Sequence, residues 1–134
     1  TWCLVGSEMC IRDRYIHQSK TAALLTSSIR LGAMTADATP KKLEALTDYG
    51  QSLGLAFQII DDILDVTQTS EKLGKSAGKD EATDKSTYPA LFGLEESRKE
   101  AVRLTAKAHD ALKPFGKKGE RLREIVDYLL DRDY

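Results

Sequence analysis

Apolar residues along this chain recur at spacings of three and four, the period of an α-helix, and no stretch shows the period-two alternation of a strand. The last segment shows it most clearly. Leu122, Ile125, Val126, Leu129 and Leu130 fall at i, i+3, i+4, i+7 and i+8, which predicts a helix with one side packed on its neighbours. Ala101, Leu104, Thr105, Ala108, Ala111 and Leu112 form one face of the preceding helix, which ends before the Pro and Gly residues of 114–119. Ahead of it, Tyr88 and Pro89 open a helical stretch that Gly93 interrupts. Leu43, Leu46, Tyr49, Leu53, Phe57 and Ile60 predict a long helix over 41–66, in which Gly50 and Gly54 allow close helix contact or a slight kink.

A further helix is predicted from Tyr15, carried by Ile16, Ala23, Leu24, Leu31 and Met34, with the small Ala22, Ser27 and Ser28 letting it pack closely on a neighbour. It breaks at 36–40, where Asp37 or Thr39 can cap the next helix and Pro40 suits a first turn. Residues 1–14 lack an initial Met and show little periodicity; they read as adapter-like, non-native sequence and are set aside. The expectation is therefore an all-α antiparallel helix bundle, with residues 15–134 forming part of one domain.

The chemistry gathers at 54–65, G-L-A-F-Q-I-I-D-D-I-L-D. Gln58, Asp61, Asp62 and Asp65 lie three and four apart and share a face of a helix that is otherwise apolar nearly all round. Ionised carboxylates on a buried helix need partners. With a helix end near Val66 the acids would occupy the last two turns, where the macrodipole disfavours negative charge. Bound cations would compensate them, and oxygen-only ligands favour magnesium, or manganese, over zinc. A solvated acidic helix end is the plainer alternative. On the helix from Tyr15, His17, Lys20 and Thr21 share a face, and of these Lys20 is a candidate ligand-binding cation while His17 carries no catalytic reading. The segment 67–87 reads as a loop in which Lys72, Lys75, Lys79 and Lys85 are interleaved with glycines and acids; it is placed to fold over the acidic face and bring ammonium groups to a phosphate.

Composition removes other classes. A net charge of -1 over 134 residues provides no field for nucleic acid or an anionic membrane. Gly54, Gln58 and the aspartates interrupt the longest apolar stretch well before a membrane span is reached. No targeting segment is legible, and a cytoplasmic location is expected. Cys3 and Cys10 lack the further ligands of a zinc site and suggest neither a disulfide nor a metal.

Four motifs, in order, carry a resemblance: H-x-x-K-T-A-A-L at 17–24, G-L-x-F-Q-I-I-D-D-I-L-D at 54–65, L-G-K-S-A-G-K-D at 73–80 and D-K-S-T-Y-P-A-L-F-G-L at 84–94. Together they resemble the C-terminal part of an isoprenyl diphosphate synthase of the polyprenyl synthetase family. The resemblance implies a trans-prenyltransferase that joins an allylic diphosphate to isopentenyl diphosphate with the help of magnesium, in a protein that is a homodimer at full length. It implies metal binding by Asp61, Asp62 and Asp65, the second of the family's two aspartate-rich motifs. It further implies that Lys20, Thr21 and Gln58 contact the allylic diphosphate or steady the cation left when it departs, and that Lys75 and Lys85 reach the diphosphate.

The family's first aspartate-rich motif and its isopentenyl diphosphate site have no counterpart in these residues, so the chain is expected to be a fragment that does not catalyse alone. Three other classes stand beside this reading. A non-catalytic small subunit of a heteromeric prenyl synthase has no need of an intact D-D-I-L-D. A helical interaction domain would make the acids and lysines surface decoration, and a di-metal oxygenase bundle would require E-x-x-H motifs that are absent.

Overall fold

In the computed structural model, residues 2–73 and 87–132 are described, with side chains for 19–68 and 87–132. The elements are α1 (Trp2–Thr35), α2 (Pro40–Leu73), α3 (Tyr88–Phe92), α4 (Leu94–Ala111), a 3-10 segment (Lys113–Gly119) and α5 (Glu120–Asp131). The described residues contain no strand, as the periodicity requires. None of their helices is long and apolar enough to cross a membrane.

Local chemistry explains the boundaries. Asp37 turns the chain out of α1 through a left-handed φ of 52°, while the Thr39 carbonyl accepts from Leu43 N at 2.9 Å and starts α2. Thr87 caps α3, its hydroxyl accepting from Ala90 N at 3.3 Å, and Pro89 sits in the first turn where its missing N–H costs nothing. Gly93, with φ of 85°, separates α3 from α4, a conformation that L side chains resist. Glu95 and Glu96 then occupy the first turn of α4, where the helix dipole favours acids.

α2 is the central rod. It touches α1, α3, α4, α5 and the 3-10 segment, whereas α1 touches α2 alone among the described elements. The core lies along α2, where Tyr49, Ala56 and Ile60 meet Ala108 and Leu112 from α4 and its end and Val126 of α5. The expected faces of α4 and α5 are buried through Ala101, Leu104, Thr105, Ala108, Val126 and Leu129.

Four expectations need correction. α1 begins at Trp2 rather than at Tyr15; Leu, Val, Met and Ile without Pro are compatible with helix even without a one-sided pattern. α2 ends at Leu73 rather than near Val66. Ile125 is half exposed, on the flank of the α5 face that Val126 and Leu129 centre. On α1 the residues facing α2 are the small Ala22, Thr26 and Ala33, while Leu24 and Leu31 are 69% and 65% exposed and Met34 also faces outward. Close approach selects for small volume at a seam, not for hydrophobicity.

Candidate functional site

α1 and α2 run antiparallel in a register fixed by three contacts. Ala22 lies against Gly54, Thr26 against Gly50, and Arg30 Nη1 donates to Thr47 Oγ1 at 2.6 Å. The paired numbers sum to 76 or 77, so Lys20 and Thr21 are level with positions 55–57 of α2. Gln58 is then about 3 Å further along the axis and Asp61 about 7.5 Å, at 1.5 Å per residue. The helix pair thus brings Lys20, Thr21 and Gln58 to one level, with the acids one to two turns beyond. Lys20 is exposed and Thr21 half-buried.

Asp62 is the organised member of the acidic face. Its Oδ1 accepts from Gln58 Nε2 at 3.3 Å, one turn back, and its Oδ2 accepts from the backbone N–H of Tyr88 at 2.9 Å. The second bond ties the start of α3 to α2 across 26 positions. Tyr88 also meets the Phe92 ring, with centroids 4.7 Å apart, which steadies the short helix that supplies the donor. Asp61 is half-buried and its carboxyl is pushed above the usual aspartate range by burial, a shift opposed by the Arg132 charge and reinforced by Asp65 and Asp62. Asp65 is exposed.

The electrostatic argument from the helix end does not survive the length of α2. Asp65 lies eight positions before Leu73, and the macrodipole acts within about the last turn. What strains Asp61 is burial and two like charges, which a cation would relieve equally well. Among the described residues no group of three or more His, Cys, Asp or Glu side chains closes around a point where a metal could sit. The donor chemistry, carboxylate oxygens on a half-buried face, fits part of a shell for a hard divalent ion, with the remaining ligands coming from elsewhere.

Lys75 and Lys85 lie outside the described residues, as do residues 74–86 of the expected loop, whereas 67–73 belong to α2. The side chain of His17 also falls outside them. Arg132 was not singled out by sequence reasoning.

The chain is similar to known proteins. A dimethylallyltranstransferase of Fischerella ambigua (strain UTEX 1903) is 45% identical over 120 residues, which cover 90% of this chain and 35% of that protein. A chloroplastic geranylgeranyl pyrophosphate synthase of Capsicum annuum is 47% identical over 120 residues, covering 89% and 32%. Among solved structures, a Marinomonas sp. MED121 protein provisionally assigned as a farnesyl-diphosphate synthase superposes with a TM-score of 0.67 at 34% identity, covering 83% of this chain and 36% of that one. The chain therefore spans about a third of the length of these relatives. The model of the polyprenyl synthetase family matches residues 12–129, from within α1 to within α5 and through the whole acidic face of α2, and the chain belongs to that family.

Proposed function

We propose that the protein carrying this chain is a trans-prenyltransferase, which ionises an allylic diphosphate and joins the resulting allylic group, head to tail, to isopentenyl diphosphate. The observation that carries this reading is the acidic face of α2. Asp62 is locked by Gln58 and the Tyr88 N–H while Asp61 is held at an energetic disadvantage as a bare carboxylate, within a segment matched by the family.

In this reading Lys20 and Thr21 bind and orient the allylic diphosphate from α1, and Gln58 faces it from α2. Asp61, Asp62 and Asp65 would hold magnesium, or manganese, which neutralises negative charge growing on the departing diphosphate. Lys75 and Lys85 add positive charge to the same group. The partly buried apolar flanks of α2, Phe57 and Leu64 among them, help keep water from the allylic cation. Activity is assigned to a protein longer than these 134 residues, a homodimer located in the cytoplasm, and the chain alone is expected to be inactive.

The test is incubation of the full-length protein with isopentenyl diphosphate, dimethylallyl or geranyl diphosphate and excess magnesium, with products separated by chain length. Longer prenyl diphosphates, lost on Asp62→Ala, are expected. Intact substrates under all these conditions would overturn the reading.

A further inference from the structure

A Cβ built on Gly54 would lie 2.5 Å from Ala22 Cα and 2.9 Å from Ala22 Cβ. One turn away, a Cβ on Gly50 would lie 2.9 Å from Thr26 Cα. Carbon atoms in good contact sit roughly 3.5–4 Å apart, so any side chain at position 54 must push α1 from α2 by about 1 Å. The obstacle is backbone, and no rotamer change relieves it. Glycine inside a helix is itself unfavourable by about 1 kcal/mol relative to alanine, so its presence in the middle of α2 calls for a local reason.

The neighbours supply one. Lys20 and Thr21 immediately precede Ala22, and Gln58 stands one turn beyond Gly54 on the same side of α2. We infer that Gly54 is a positioning residue: by admitting the α1 backbone it sets the distance between Lys20 and Thr21 on one helix and Gln58 on the other. This rests on the proposal that those three side chains contact the allylic diphosphate. Gly50 repeats the close approach a turn further from the site and keeps the two axes aligned. Gly32 of α1 has no atom within 4 Å of such a Cβ and serves as the control.

The test is a steady-state double-mutant cycle in the full-length protein. Gly54→Ala is expected to lower kcat by roughly ten- to a hundredfold, as misplacement by about 1 Å does, while Gly32→Ala leaves it unchanged. In a Lys20→Ala background the same Gly54→Ala change is expected to cost far less, because the group it misplaces is already gone. Ala22→Ser enlarges the opposite side of the same contact and is expected to repeat the pattern; it carries the test if Gly54→Ala does not fold. Additive losses in the cycle, or normal kinetics for both seam variants, would overturn the positioning role and leave the substrate contacts standing. Normal kinetics for Lys20→Ala would overturn the Lys20 assignment, and the positioning role with it.

Discussion

The phenol of Tyr49 on α2 donates to the carbonyl of Leu122 on α5 at 2.9 Å, joining positions 73 apart. The ring is fully buried, and the bond fixes where α5 begins along α2. From that tie α2 rises about 18 Å to Asp61 and α5 about 15 Å to Arg132, at 1.5 Å per residue. The two helices run in the same direction, so a hydrogen bond at one end of the pair brings the Arg132 charge near enough to Asp61 at the other to oppose the rise in its pKa.

Tyr49→Phe is expected to destabilise the fold by about 1 kcal/mol, since it removes one part-buried hydrogen bond while keeping the ring volume. Burial pushes the Tyr49 hydroxyl up to about 12 from 10.0. The folded state thus keeps its proton where the unfolded chain loses it. The stabilisation is complete below pH 10 and is lost as pH rises toward 12, by an amount on the order of 2 kcal/mol. Melts of wild type and Tyr49→Phe across this window are expected to converge, because the lysines that titrate there are common to both.

Asp61→Asn is expected to melt at or above the wild-type temperature at neutral pH and to lower turnover of the full-length protein by at least about tenfold. The Asp61 pKa is raised in the folded state, chiefly by burial. Its contribution to stability is therefore present below the usual aspartate range and lost as pH rises through the folded value. The asparagine variant is expected to lack that loss, which melts from acid to neutral pH will read.

Arg132→Gln removes the one cause that lowers the Asp61 pKa. The Asp61 carboxyl is expected to titrate higher still, followed by its carbon chemical shift across the acid range. An unchanged midpoint would show that the α5 end does not face Asp61.

Gly32→Ala and Gly93→Ala are expected to change stability in opposite directions, although neither new Cβ meets anything within 4 Å. Gly32 lies inside α1, where alanine gains roughly 0.5–1 kcal/mol. Gly93 holds φ of 85°, where a Cβ introduces about 1–2 kcal/mol of strain. Denaturant titrations with unchanged slopes will resolve the two signs.

Much of this was legible in the residues. The faces of α4 and α5 and the shared face of Gln58, Asp61, Asp62 and Asp65 follow from spacing alone. The length of α2 did not: Thr67, Gln68, Thr69 and Ser70 resemble a loop, yet the Thr67 hydroxyl bonds back to Ile63 O at 2.9 Å and the helix continues. The inward side of α1 was missed because leucines draw the eye, while the closest points between the two backbones are held by the small Ala22 and Thr26, with Ile29 beside them against Gly50. Arg132 beside Asp61 is a tertiary fact, set by the tie at Tyr49 and by two helix lengths, and no local pattern encodes a partner 71 positions away.

α1 is in contact with α2 and with no other described element, and this divides the molecule energetically. Opening the α1–α2 seam leaves Tyr49, Ile60, Leu112 and Val126 packed together, so α1 can detach as a sub-global unit at a free energy below that of complete unfolding. Its amides are then expected to exchange with solvent sooner than those of α4, and destabilising changes on α1 and on α5, which among the described elements share only the rod between them, to add without cooperativity.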